Sequence, residues 1–502
     1  MAGAGRWLEA EGTQAVMRVK QGDLSGRGDP GRSQSVHSSD DAAQQSPSEG
    51  TQEGGCAMFR QTDPNPDPVP HGAKPAGEVR ARWAWAEPSV WTERMLTALE
   101  HGVKGGTWYS LMDKVYDPRN LRAAFARVKK SGAKATGVDR QSIDAFEARL
   151  DERIARLTDD LRRGRYRPQA VRRVEIPKPG TRKTRPLGIP TVSDRVVQGA
   201  VRQVLEPIFE RDFAEHSYGF RPGRSCKDAL RRVDTLLKEG HTWVVDADLT
   251  SYFDTIPHDG LMACLRTRIS DGRVLELVER FLTQKVMAGL AQWTPETGTP
   301  QGAVLSPLLS NIYLDELDHR MARCGRQMVR YADDFVILCR TEAEAREALA
   351  EVERWTAQAG LALHPDKTRI VEASQPGGFD FLGYRFDRGR KWPSKKSEKK
   401  LRAKLRPITR RTNGHSLKQI VADVNRVTRG WFGYFKHGYR TTFPSLDGWI
   451  RMRLRSIKRR RMGLKGRARG ADHQRWPNDY FARHGLFSMT AAHAAAVQSS
   501  KR

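Results

Sequence analysis

Two adjacent aspartates lie in the tetrapeptide Tyr331-Ala332-Asp333-Asp334, between short apolar runs. The runs at 328–329 and 335–338 predict two strands joined by a tight turn that carries the acid pair. Adjacent carboxylates at a turn repel each other unless a cation neutralises them. A pair of divalent metal ions would do so, and such a pair is typical of in-line phosphoryl transfer. From these four residues alone the alternative is an ordinary acidic turn, because Asp is common in turns.

A third carboxylate, Asp248, ends another apolar run, which begins at Trp243. Side chains alternate along a strand, so this run predicts that Asp246 and Asp248 lie on one face. Asp248 can then meet the hairpin acids and complete a cage for two Mg2+ ions, which prefer oxygen ligands. A strand end with solvated acids is the alternative.

The balance of charge predicts a polyanionic partner. The chain of 502 residues has 87 Lys and Arg against 59 Asp and Glu, a formal net charge of +28. Residues 388–469 hold 27 of the basic residues and 3 of the acidic ones, a local charge of +24. A charge excess concentrated in one C-terminal module favours nucleic acid as the partner.

This basic module is predicted to fold as helices, because Leu401, Leu405 and Ile408 have helical spacing. The aromatic residues at 431–435 suit stacking on RNA bases, and burial in a helix core is the alternative for at least half of them. The candidate RNA-binding residues of the module are Arg451, Arg453, Arg455, Lys458, Arg459, Arg460 and Arg461.

Five cysteines, at positions 56, 226, 264, 324 and 339, show no CxxC spacing. Their scatter argues against a disulfide framework or a zinc site and fits a reducing compartment. The N-terminus has no apolar signal region, and no run approaches the roughly 18 apolar residues of a membrane span. We therefore expect a cytoplasmic protein without a membrane partner.

The elements that must position the acids follow from composition and periodicity. Residues 1–85 are polar and poor in large apolar side chains, which predicts a disordered tail, and translation from Met58 is an open alternative to that tail. Residues 172–180 and 185–190 predict a basic hairpin that could clasp a triphosphate, with a solvated hairpin as the alternative. Apolar periodicity predicts helices over 91–99, 121–128, 143–161, 196–209, 226–237, 308–317 and 342–359.

Taken in order, these motifs resemble those of bacterial group II intron reverse transcriptases/maturases. The resemblance rests on the basic hairpin, Phe220-Arg221-Pro222-Gly223, the Asp248 strand, Pro300-Gln301-Gly302 with Leu305-Ser306-Pro307, the Tyr331–Asp334 hairpin, Lys367 and Phe381-Leu382-Gly383-Tyr384. It implies an α+β fold: a right-hand polymerase, with fingers and an antiparallel palm sheet, followed by an α-helical thumb called domain X in maturases. The implied domains are a helical extension of the fingers at 90–157, fingers and palm at 158–386, and the basic thumb at 395–490.

The resemblance also implies roles for single residues. Asp248, Asp333 and Asp334 match the three catalytic acids that bind two Mg2+ ions. The residues that match the dNTP-binding positions are Lys178 and Arg185 for the triphosphate, Phe253 for the gate that rejects a 2′-hydroxyl, Gln301 in the nucleotide pocket and Lys367 near the departing pyrophosphate.

The function implied is that of an RNA-directed DNA polymerase encoded by a group II intron. It would copy intron RNA into cDNA and bind that RNA as a maturase, promoting splicing and retromobility. Its partners would be the intron RNA, an RNA template with a DNA primer, dNTPs and a DNA target. No CxxC pair or His-rich pattern follows residues 476–481, so we expect no C-terminal endonuclease. The alternatives are a related reverse transcriptase used in defence or diversity generation, and a splicing factor that only binds RNA.

Overall fold

The computed structural model describes residues 76–103, 105–177, 184–466, 468 and 470–499. Residues 1–75, most of the predicted tail, lie outside the described residues. For residues 76–85 the tail prediction was wrong, because helix α1 (Ala76–Arg82) leads into the buried Trp83. The Trp83 indole Nε1 donates a hydrogen bond to Glu100 Oε1 at 2.6 Å. Burial of the ring with its polar atom satisfied holds this segment against the domain.

A layer of short helices follows α1. These helices are α2 (Glu93–His101), α3 (Met112–Val115), α4 (Pro118–Lys130), α5 (Ile143–Glu147) and α6 (Leu150–Arg162). The single helix predicted over 143–161 was wrong, because the backbone leaves the helical region at Arg149, with φ −127° and ψ 39°. The first of the two helices places Phe146 in a stack with Phe125 of α4, with ring centroids 5.2 Å apart.

The predicted basic hairpin is confirmed as β1 (Val171–Pro177) and β2 (Thr184–Ile189), which pair antiparallel. The connection at 178–183, which includes Lys178, lies outside the described residues. Helix α7 (Val192–Glu210) follows β2, begins at the N-cap Thr191 and is buried along most of its length. β1 also pairs in parallel with a short strand at Val286–Ala288, whose own antiparallel partner is Ala291–Trp293.

A second sheet is antiparallel throughout. The two short strands of the first sheet, Val286–Ala288 and Ala291–Trp293, are β4 and β5. The strands of the second sheet are β3 (Trp243–Asp248), β6 (Gln327–Tyr331), β7 (Asp334–Cys339) and β8 (Arg369–Glu372), in the order β6-β7-β3-β8. Alternation sends Val245 and Phe335 into one hydrophobic cluster with the N-terminal helices. Val244 and Val336 enter another cluster with the C-terminal helices. Both faces of the sheet are therefore covered, which fixes its register.

Helices connect and cover these strands. They are α8 (Cys226–Lys238), α9 (Tyr252–Thr255), α10 (His258–Arg266), α11 (Gly272–Leu282), α12 (Ser306–Arg323) and α13 (Glu342–Gln358). The helices predicted at 91–99, 121–128, 196–209, 226–237, 308–317 and 342–359 are confirmed within a few residues, except that α12 extends to Arg323. The extension buries Leu317 and Met321, which continue the apolar face.

The basic C-terminal module is helical, as expected. A small sheet of β9 (Phe379–Phe381), β10 (Tyr384–Asp387) and β11 (Arg390–Pro393) leads into α14 (Lys395–Ile408), α15 (Leu417–Phe435), α16 (Thr442–Arg461), α17 (Gly470–Arg475), α18 (Asn478–Arg483) and α19 (Met489–Ser499). Trp431, Phe432, Tyr434 and Phe435 are all buried, so these rings form helix core and do not offer a stacking surface. No helix in the described part of the chain is long and apolar enough to cross a membrane.

Candidate active site

Three aspartates meet at one end of the antiparallel sheet of β6, β7, β3 and β8. β3 and β7 run in a register that pairs Asp248 with Asp334. Asp333 precedes β7 in the tight turn between β6 and β7, where Ala332 has a left-handed backbone with φ 60°. Asp246 shares a face with Asp248, because they are two residues apart on one strand. The predicted hairpin and the predicted strand are both confirmed, and they bring the acids together. Residues 331–334 form the acid turn.

Burial and mutual repulsion make this cluster costly to ionise. Burial raises the pKa of Asp333, and the charge of Asp248 adds to the rise. The pKa of Asp334 rises to about 7, first through burial and then through the charges of Asp333, Asp246 and Asp248. Burial also raises the pKa of Asp246, although Arg369 donates a hydrogen bond to it at 3.1 Å. The site concentrates negative charge where water solvates it poorly.

Lys367 supplies positive charge to the cluster. Its Nζ contacts Asp248 Oδ2 at 2.5 Å, and the lysine side chain is 57% exposed. Among the described residues, no three Asp, Glu, His or Cys side chains already surround a common point. The carboxylates suit a divalent cation chemically, because Mg2+ prefers oxygen ligands. Lys367 contacts one oxygen of Asp248, and the cage of three acids expected from the sequence stays a prediction.

A buried arginine, missed by the sequence analysis, anchors the acid turn. Arg330 donates three hydrogen bonds to Asp318 of α12, from Nε to Oδ1 at 2.8 Å and to Oδ2 at 3.0 Å, and from Nη2 to Oδ2 at 2.5 Å. Its Nη1 donates to Asn311 Oδ1 at 3.0 Å and to the Ala332 carbonyl at 2.9 Å. Burial lowers the pKa of Arg330, but the charge of Asp318 and its hydrogen bonds together raise it further, so the net direction is upward and the group stays charged. An arginine inside an apolar strand pattern was the available signal.

The acid turn also packs against the segment that precedes Phe220. A Cβ on Gly219 would lie 2.1 Å from Ala332 N, so only glycine fits there. Asn311 Nδ2 donates to the Gly219 carbonyl at 2.8 Å, and Tyr218 N donates to the Arg330 carbonyl at 2.9 Å. The turn is thereby held between α12 and this segment.

Main-chain hydrogen bonds join the elements that carry the expected nucleotide-binding residues. Thr299 N donates to the Phe253 carbonyl at 2.7 Å, and Gly188 N of β2 donates to the Gln301 carbonyl at 2.7 Å. The loop of Gln301 therefore connects the strand bearing Arg185 with the turn bearing Phe253. Arg185 lies on β2, and Lys178 is outside the described residues.

The candidate RNA-binding residues on α16 fall into different environments. Arg455 is buried and donates to the Trp476 carbonyl at 2.8 Å and to Asn478 Oδ1 at 2.9 Å. This corrects the expectation for Arg455, because its guanidinium is used inside the module. Arg459 pairs with Asp472 at 3.0 Å and is also mostly covered.

The other members of this set have more access to solvent. Arg453 and Arg461 donate to oxygens of the connection between α14 and α15. Lys458 Nζ lies 5.9 Å from the ring centroid of Trp476 and 5.5 Å from that of Tyr480. Arg460 is exposed and Arg451 is half-buried. An RNA surface on α16 therefore depends on these five residues.

The raised pKa of Asp334 predicts a pH-dependent gain of stability in Asp334→Asn. The folded-state pKa of about 7 lies above the ordinary value of 3.8, so the unfolded chain loses this proton first and wild-type stability falls as pH rises between these values. The variant escapes that loss. Urea unfolding in EDTA, from about pH 4 to pH 8, gives the free energy of unfolding of both proteins. The value for the variant should exceed that of the wild type by an amount that grows with pH and levels off above pH 7, at no more than about 4 kcal/mol. An advantage that does not change with pH would contradict the account; Asp259→Asn, on an exposed carboxylate, is the control.

The buried ion pair predicts a strong effect of Arg330→Met on the free energy of unfolding. The change leaves Asp318 buried without its partner, which costs about 3–5 kcal/mol. In the double variant Arg330→Met/Asp318→Leu no charge remains unpaired, and most of the lost stability should return. Urea unfolding followed by circular dichroism measures both. Equal instability of the single and double variants would show that the pair is not what the fold depends on.

Two family models match this chain. Residues 176–386 match the family model for reverse transcriptase (RNA-dependent DNA polymerase), and residues 398–476 match the group II intron, maturase-specific domain. The first match contains the three acids, Phe253, Gln301 and Lys367. The second lies within the basic helical module.

Individual relatives give the same result. Protein YkfC of Escherichia coli K12 is 36% identical over 350 residues, which are 62% of this chain and 87% of YkfC. Group II intron-encoded protein LtrA of Lactococcus lactis is 38% identical over 225 residues, 44% of this chain but only 36% of LtrA. A solved partial Cas6-RT-Cas1–Cas2 complex is 27% identical over 49% of this chain and 41% of the complex's chain, with a TM-score of 0.33, too low to compare the folds. The chain belongs to the group II intron reverse transcriptase/maturase family.

Proposed function

We propose that this protein copies RNA into DNA by nucleotidyl transfer at Asp248, Asp333 and Asp334, with two Mg2+ ions as cofactors. The observation that carries the proposal is the register of β3 and β7, which places Asp248 beside Asp334 at the end of the sheet. Membership of the family implies dependence on a divalent cation. The acid cluster suits Mg2+ because its oxygen donors are hard. Burial, and after it the charges of the neighbouring acids, raise the pKa of Asp334 to about 7.

The three aspartates would hold the ions. Bound there, the ions would activate the primer 3′-hydroxyl and stabilise charge on the departing pyrophosphate. Arg330 keeps the acid turn in place through the Ala332 carbonyl. Lys367, with a mobile ammonium already beside Asp248, can neutralise phosphate charge that arrives at the same place.

The substrate pocket is assigned to the loop that joins β2 to the turn after β3. We assign Phe253 to a position beneath the deoxyribose of the bound dNTP and Gln301 to the adjacent side of the pocket. The loop of Gln301 forms hydrogen bonds both with the turn of Phe253 and with β2. Arg185 and Lys178, on the basic hairpin, would hold the triphosphate of the incoming dNTP. A planar guanidinium suits this role because it can donate two parallel hydrogen bonds to phosphate oxygens.

The C-terminal module would bind the intron RNA and act as the maturase thumb. The match to the maturase-specific domain and the local charge of +24 over residues 388–469 support this role. We assign helical fingers extension to 90–157, fingers and palm to 158–386, and thumb to 395–490. The protein would work in a cytoplasmic ribonucleoprotein that promotes splicing and carries the intron to a DNA target.

Asp333→Ala combined with Asp334→Ala should abolish cDNA synthesis and leave RNA binding nearly intact. The pair removes two of the three acids, and a loss on the order of a thousandfold or more is expected. Primer extension on an RNA template with a DNA primer measures synthesis, and filter binding measures RNA affinity. Asp259→Ala, on an exposed acid of α10, is the matched control. Full extension by the double variant would refute the assignment of the site.

Phe253→Ala should relax discrimination against ribonucleotides. Its half-buried ring would block a 2′-hydroxyl, so the smaller side chain should raise the ratio of rNTP to dNTP incorporation by about tenfold or more. Single-nucleotide incorporation kinetics give this ratio, and Phe253→Tyr, which keeps the bulk, should retain the wild-type value. If the ratio does not change in Phe253→Ala, the gate lies elsewhere.

A further inference from the structure

Phe220 combines an exposed ring with a costly backbone conformation. It has φ 59°, in the left-handed region, and its side chain is 40% exposed. A bulky residue rarely adopts this region, because its Cβ crowds the backbone. Burial of the ring compensates only in part, since 40% of the residue's surface remains exposed. Such costs persist where the surrounding structure enforces them, commonly at functional positions.

The surrounding structure that enforces this conformation is the acid turn itself. Gly219, the preceding residue, has its backbone packed on Ala332 and Tyr331, with no space for a Cβ. Its carbonyl accepts the hydrogen bond from Asn311, which also accepts one from Arg330. Phe220 therefore follows directly on a residue that is packed against the acid turn and held by the same network.

The other side of Phe220 is held as firmly. Arg221 is buried, and its guanidinium bonds to both carboxylate oxygens of Glu210 at 2.8 to 3.0 Å. The same guanidinium donates to the carbonyls of Ala214 and Ser217, at 2.5 and 2.8 Å. Phe220 thus stands between two anchored residues, so the ring is offered by a rigid support and little ordering is needed on binding.

The chemistry around the ring favours nucleic acid as its occupant. Besides the buried Arg221, residues 220–232 contain four Lys or Arg, none of them buried, and one Asp. An aromatic ring among basic residues is the combination by which proteins stack bases and hold the adjacent phosphates. We infer that Phe220 stacks on a template base where the primer–template duplex ends, next to the acid turn. This rests on the proposed function, because that function brings a primer terminus to the acids.

Direct binding measurements separate this inference from catalysis. A fluorescein-labelled RNA template/DNA primer duplex is titrated in EDTA without dNTPs, and its Kd is read by anisotropy. Phe220→Ala should weaken binding about tenfold, because one base stack is lost. Phe220→Trp should bind like the wild type, and Phe220→Leu should bind nearly as weakly as Phe220→Ala, because it keeps the volume without the ring. Tyr109→Ala, which removes another exposed aromatic ring, should have no effect.

Phe220→Gly controls for folding, because glycine adopts a positive φ without strain. It should melt no lower than the wild type and bind as weakly as Phe220→Ala. Wild-type Kd values in both variants, or full recovery in Phe220→Leu, would overturn the inference. A changed oligomeric state in sedimentation at unchanged Kd would also overturn it, since the ring would then cover protein. Primer extension by the wild type, run in parallel, tests the proposed function separately.

Discussion

The structure depends on placing three carboxylates together at the end of one sheet, where burial raises the pKa of Asp333 and Asp334. Asp248 and Asp334 face each other across one pair of strands, and Asp333 lies in the adjoining turn. Their repulsion and burial raise the pKa of Asp334 to about 7. Left to itself, such a cluster would open or take up protons. The surrounding fold has to hold it closed without relying on any attraction among the acids.

The fold meets this constraint with a rigid frame and nearby positive charge. The sheet is covered on both faces by hydrophobic clusters, so a shift of β3 against β7 would bury polar side chains. Arg330 ties the acid turn to α12 through Asp318 and Asn311. Lys367 adds a neutralising ammonium at Asp248. Ionisation of Asp333 and Asp334 therefore costs stability, because burial raises the pKa of both carboxyls above the ordinary value.

The sequence predicted those parts of the site that follow from local patterns. The acid turn and the Asp248 strand were predictable because strand alternation and turn chemistry depend on neighbouring residues. The anchor at Arg330 was not, because Asp318 and Asn311 reach it from a helix that precedes β6. Arg455 was assigned to RNA for the same reason: only the fold shows that it bonds to Trp476. Local patterns predict elements, whereas the partners of buried charges follow from packing.

The central claim is that a divalent cation relieves the repulsion among these acids. The most direct test is the melting temperature of metal-free protein at about pH 8 as MgCl2 is added, for the wild type and for Asp334→Asn. An ion that binds only the folded state raises the melting temperature with its concentration. We expect a clear rise in the melting temperature of the wild type and a much smaller rise for Asp334→Asn. Equal rises in the two proteins, or no rise in the wild type, would contradict it.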